Sequence, residues 1–126
     1  MPQYGQHKAQ AEHNKKLLNF FKEQSKQSEY SDWYVTIAFY AALHYFEAVI
    51  SMKPVNGLSH SRNHAVRNRV IKTTFKGLYQ PYATLYERSR AARYDCHIPG
   101  KHDWTRAENL LGEVKKECDA LALSHK

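Results

Sequence analysis

DWYVTIAFYAALHYFEAVISMK, residues 32–53, is the stretch on which the fold turns. Apolar side chains occupy nearly every position, so a helix built from it has to be covered on most of its circumference. Ser31 or Asp32 can cap its start. Lys53-Pro54 ends it, because the residue before a proline avoids helical backbone angles. Thr36, His44 and Glu47 interrupt the apolar run, which argues for a buried central helix rather than a membrane span.

Outward from this segment, the flanking sequence supplies helices to cover it. Residues 1–6 (MPQYGQ) read as a loose start. From His7 to Ser25 the spacing of Ala9, Ala11, His13, Leu17, Leu18, Phe20 and Phe21 predicts a first helix with an apolar stripe. QSKQSEYSD is a polar break before the central helix, and PVNGLSH is a loop after it. Ser59 can cap a third helix through SRNHAVRNRVIKT. Pro81 suits the first position of a fourth helix running to about Asp95, with Tyr82, Leu85, Tyr86, Ser89 and Ala92 on its buried side. HIPGKHD is a helix stop. Asp103 or Thr105 then caps a fifth helix, whose Ala107, Leu110, Leu111, Val114, Cys118 and Leu121 repeat at helical spacing. With 5 glycines and 4 prolines in 126 residues, turn-rich all-β folds are disfavoured. The expected fold is all-α: one domain, an up-and-down bundle of four long helices plus a short additional helix.

Charge points to the partner. Lys and Arg number 19 against 12 acidic residues, a formal +7. No acidic residue occurs between Glu47 and Glu87, while Lys53, Arg62, Arg67, Arg69, Lys72 and Lys76 fall in that interval. A one-signed segment attracts polyanions and releases their counterions; it can also be a solvated helix face. Two cysteines and no N-terminal signal pattern predict free thiols in a reducing cytoplasm.

SRAARYDCH, residues 89–97, is the densest chemical stretch. On a helix continued through its last turn, Arg90, Arg93, Tyr94 and His97 stand at i, i+3, i+4 and i+7, a strip roughly 100° wide. Two guanidiniums and an imidazole suit a phosphate, and such groups can cut RNA without a metal. A base removes the ribose 2′-hydroxyl proton while cations hold the charge that builds on the phosphoryl oxygens. The competing reading is a solvated helix end, where Arg and His are favoured by the macrodipole and by unpaired carbonyls.

Taken together, the ordered set DWYVTIAFYAALHYFEAVI, SHSRNHAVRNRVI and YATLYERSRAARYD resembles small bacterial proteins of the HEPN superfamily (higher eukaryotes and prokaryotes nucleotide-binding). The likeness spans most of residues 10–124 and rests on a Y-x-A-x-H-like centre and a Y-x-x-L-x-x-x-S-x-x-A-R-Y pattern. It implies a helical bundle, often a homodimer, in a group containing metal-independent endoribonucleases of toxin–antitoxin and phage-defence systems. The nuclease motif of that group, Arg, four to six residues, then His, falls on Arg90 and His97, with Ala91 where a polar residue often follows the arginine. On this resemblance His97 is a general acid or base, Arg90 stabilises phosphoryl charge, and an antitoxin or effector is a possible protein partner. Other branches keep the bundle without cleavage, as nucleotide-binding or protein-interaction modules.

The remaining candidates are binding residues. Arg93 and Tyr94, with His60, Arg62, His64, Arg67 and Arg69 of the basic third helix, are expected to contact RNA or a nucleotide. His44, midway along the central helix, reads as a hydrogen-bonded core histidine. Cys96, His97, His102 and Asp103 lack the spacing of a metal site, and no glycine-rich phosphate loop is present, so no metal or cofactor is expected.

Overall fold

The computed structural model of the chain describes residues 3–52 and 64–125, with side chains through Leu123. Five helices and no strand occur among the described residues: α1 (Tyr4–Glu23), α2 (Ser31–Met52), α3 (His64–Thr74), α4 (Lys76–Tyr94) and α5 (Lys101–His125). The expected all-α bundle, four long helices and one short, is the fold. His60 and Arg62 lie outside the described residues.

Helix α2 is the axis. It is long and apolar enough to cross a membrane by length and composition, yet 72% of its most apolar window is buried against the rest of the protein. Fifteen of its 22 residues are buried, and α1, α4 and α5 all pack on it. Phe39, Phe46, Tyr45 and Ile50 are almost wholly enclosed, each such side chain stabilising the fold by about 1.5–3 kcal/mol. Directions follow from cross-links. Tyr45 bonds Glu12 while Phe21 packs on Tyr34, so α1 runs antiparallel to α2. Tyr82 meets Phe46 and Arg93 meets Tyr40, so α4 is antiparallel to α2 as well. Tyr34 bonds Glu108, near the start of α5, so α5 runs alongside α2 in the same sense.

Three boundaries and one stripe depart from the sequence expectation. Helix α5 starts at Lys101, so Asp103, expected at its cap, lies in its first turn and accepts from the Gly100 N–H. Residues 4–6 are helical, because the Gln3 backbone N–H donates to Gln6 Oε1 at 2.8 Å and His7 is buried. Helix α4 starts at Lys76, so Pro81 sits inside it and withholds the N–H that the Gly77 carbonyl would accept. On α1 the buried positions are His7, Ala11 and Leu18, whereas Leu17 and Phe20 face outward. Elsewhere the expected stripes hold. Ala107, Leu110, Leu111, Val114 and Cys118 are buried on α5, and Tyr82, Leu85 and Ser89 on α4.

A candidate anion-binding corner

Tyr82, Tyr86, Ser89, Arg90 and Arg93 follow one another at helical spacing along α4, on the side that meets α2. Tyr82 is buried, Tyr86 half-buried and Arg90 exposed, so the strip climbs from core to solvent. Helix α3 closes the inner end. The Arg67 Nε donates to Glu47 Oε1 at 2.9 Å, and its Nη1 reaches the Tyr82 hydroxyl at 3.3 Å. Arg67 and Glu47 form an ion pair almost closed to solvent, in which burial pushes the Tyr82 hydroxyl up to about 12. Arg67, expected among the RNA contacts, is therefore turned inward; Arg69, two residues on, is exposed.

His64 links this buried pair to the surface. Its ring packs on Phe39 and Tyr86, with centroids 6.0 and 5.0 Å away. Arg67 Nη1 lies 2.8 Å from His64 Nδ1. A guanidinium only donates, so Nδ1 is the acceptor, and the neutral ring carries its proton on Nε2. Burial holds the His64 pKa below the ordinary 6.5, and the charges of Arg67, Arg93 and Arg90 lower it further. Three guanidiniums thus bear on one imidazole that already presents an N–H.

Arg93 is held by neutral groups alone. Its Nη1 donates to the Tyr40 hydroxyl at 2.9 Å, its Nε to the Ser89 carbonyl at 3.3 Å and its Nη2 to Ser89 Oγ at 3.4 Å. The guanidinium lies over the Phe39, Tyr40 and Tyr94 rings at 5.8, 5.5 and 5.1 Å. Arg90 Nη1 donates to the Tyr86 hydroxyl at 3.4 Å and is open to water. None of these hydrogen-bond partners is a carboxylate; Glu87 and Asp95 bear on Arg90 only through space.

His97 stands apart from this strip. Helix α4 ends at Tyr94, and Cys96 takes a left-handed backbone angle, φ 54°, which turns the chain away before His97. The expected i+7 alignment with Arg90 is therefore broken. His97 Nε2 is 3.7 Å from Asp103 Oδ2, whose other oxygen takes a 2.7 Å bond from Arg88. Asp103 also accepts from the Gly100 backbone N–H, the contact that most holds its carboxyl below the usual range. Among the described residues no hydrogen bond, ion pair or ring contact joins Arg90 to His97.

Compared with known proteins, the chain matches no family model, no curated protein and no solved structure. The site has to speak for itself. Its sequence-expected members Arg90, Arg93, Tyr94 and His64 come together; Arg67 supports them from below. Tyr40, Phe39 and Tyr86 complete the corner. Tyr40 lies in the Y-x-A-x-H centre of the apolar helix, where an aromatic reads as core, and it is one of the few α2 residues left exposed. Its spacing from Trp33 and Ile37, at i+7 and i+3, marks the one α2 stripe not buried, a signal visible only once the buried faces are known. His44 is half-buried, with Nδ1 3.1 Å from His7 Nδ1, as a hydrogen-bonded core histidine would be.

Proposed function

We propose that this protein binds RNA or a nucleotide, gripping phosphate at the corner made by Arg90, Arg93 and the Nε2–H of His64. The observation that carries the reading is that, among the described residues, Arg93 is hydrogen-bonded by Tyr40 and Ser89, and Arg90 by Tyr86, with no carboxylate in hydrogen-bond or ion-pair contact with either. An anion entering there meets permanently charged donors already oriented and a neutral imidazole N–H beside them. The acid-free segment and the net +7 support attraction of a polyanion from a distance. The ordered likeness to HEPN proteins supports the same class of ligand. A labelled single-stranded RNA, titrated at several salt concentrations, should bind with a negative salt slope, and Arg90→Ala should weaken binding several-fold without moving the melting temperature. Unchanged affinity in Arg90→Ala would remove this corner from the reading.

A second reading, metal-independent RNA cleavage in the HEPN manner, draws on the His97–Asp103 contact. Asp103 Oδ2 stands 3.7 Å from His97 Nε2, near enough to favour one orientation of the ring. In that reading Arg90 and His97 act on one phosphodiester, and RNA is cut in EDTA by the intact protein but not by His97→Ala. Binding without cleavage returns the function to a nucleotide-binding or partner-docking module. A cytoplasmic setting, a homodimer and a toxin–antitoxin or defence role belong to the same proposal, and light scattering and genomic context test them.

A further inference from the structure

Beside the anion corner, the first turn of α2 and the last turn of α4 leave a cleft of about 160 Å³ lined by Asp32, Trp33, Thr36, Ala92 and Arg93. Arg93 belongs to both features. Trp33 is 57% exposed, and its indole makes no ring contact among the described residues. A flat aromatic and a flat guanidinium fixed from behind are the two surfaces on which nucleobases stack.

Apart from the Arg93 guanidinium, the polar side chains of the cleft offer acceptors. The Thr36 hydroxyl donates its proton to the Asp32 carbonyl at 2.8 Å, which leaves its oxygen as an acceptor. Among the described residues the Asp32 carboxylate has no hydrogen-bond or ion-pair partner, although it shares the cleft with Arg93. A base edge that meets the Asp32 carboxylate must present donors. Guanine presents two adjacent ones, N1–H and the N2 amino group, which match both oxygens of a carboxylate; adenine, cytosine and uracil each offer a single donor group on that edge.

We infer that this cleft is a nucleobase slot selecting guanine, stacked between Trp33 and Arg93 and read by Asp32, while its phosphate lies toward Arg90 and His64. The inference rests on the anion-binding reading above and adds the base to it. In a Trp104→Phe background, where Trp33 is the sole tryptophan, fluorescence quenching is titrated with 5′-GMP, AMP, CMP, UMP and inorganic phosphate. GMP should quench Trp33 and bind about tenfold more tightly than the other three nucleotides. Asp32→Asn should abolish that preference, with its far-UV circular dichroism unchanged. Trp33→Ala, which removes the fluorophore and is therefore titrated by calorimetry, should reduce all four nucleotides to the affinity of phosphate. Equal binding of the four nucleotides by the intact protein, with Arg90 still required, overturns the slot and leaves the anion corner standing. Absence of any Arg90-dependent binding overturns both.

Discussion

Two arginines flank the same imidazole and do opposite jobs. Arg67 lies below His64, buried, with its charge answered by Glu47. Arg93 lies at the surface, held by a tyrosine hydroxyl, a serine and three aromatic faces. Both are ordered, but among the described residues only the second has no ion-pair partner. The difference teaches that order around an arginine does not identify a binding residue; the chemistry of what orders it does.

The largest effect should come from breaking the inner pair. Arg67→Met takes the Nε–H donor and its charge from the buried Glu47 carboxylate, and stability measured by urea unfolding should fall by about 3–5 kcal/mol. Adding Glu47→Gln in the same chain should recover part of the loss, because the buried carboxylate is then neutral. A protein that tolerates Arg67→Met but loses RNA binding would reverse the roles assigned to the two arginines.

Next comes the outer arginine. Arg93→Gln keeps a planar donor group but removes the charge, so RNA affinity should drop about tenfold at low salt, and the salt slope should become shallower by about one. The Tyr40→Phe variant sharpens the comparison. It leaves the charge and removes the hydroxyl that holds Nη1, so affinity should fall less than in Arg93→Gln while the salt slope is retained.

Much of this architecture was legible before any coordinates. The apolarity of residues 33–50, interrupted at Thr36, His44 and Glu47, made α2 the core, and the spacing of Ala107 to Cys118 gave the inner face of α5. The corner was only half legible. Arg90 and Arg93 were visible because they repeat along one helix. The histidine packed nearest them, His64, stands on α3, so no periodicity within SRAARYDCH can point to it. The left-handed residue at Cys96 defeated the helical extrapolation, since only glycine, and sometimes asparagine, advertises such a turn in sequence. Arg67 shows the converse failure. In an acid-free run it reads as a surface cation, because its acid, Glu47, lies 20 residues back on another helix.

A smaller effect concerns pH. Burial lowers the pKa of both His44 and His64 relative to the unfolded value of 6.5; neighbouring guanidiniums lower His64 further, while at His44 Glu47 offsets part of the drop and Arg67 adds to it. Below 6.5 the unfolded chain takes up protons that the folded one refuses, so these two groups favour unfolding progressively as pH falls from 7 toward 5. The urea midpoint should therefore decline over that range, and His64→Gln should flatten part of the decline. Phosphate binding should already be present at pH 8, since the His64 Nε2–H donates from the neutral ring. A binding curve that appears only below pH 6 would mean that a protonated imidazole, and not the tautomer fixed by Arg67, receives the anion.

The smallest effect tests the turn that separates His97 from the arginine strip. Cys96 holds φ at 54°, where a Cβ crowds the following carbonyl, at a cost of about 1–2 kcal/mol. Cys96→Gly removes the crowding but gives the unfolded chain more freedom, an offset of about 0.4–1 kcal/mol. The net gain should be under about 1 kcal/mol, a rise of a few degrees in Tm at most. Because glycine keeps the same turn, RNA affinity should not change, and neither should the protection of the His97 amide bonded to the Ala91 carbonyl at 3.3 Å. Cys96→Val acts in the other direction. A β-branched residue resists the left-handed angle, so the last turn of α4 should lose protection in hydrogen exchange while the buried Arg67–Glu47 pair, on α3 and α2, keeps its own. If loss of that turn also abolished binding, the end of α4 would matter to the anion corner as much as the side chains that line it.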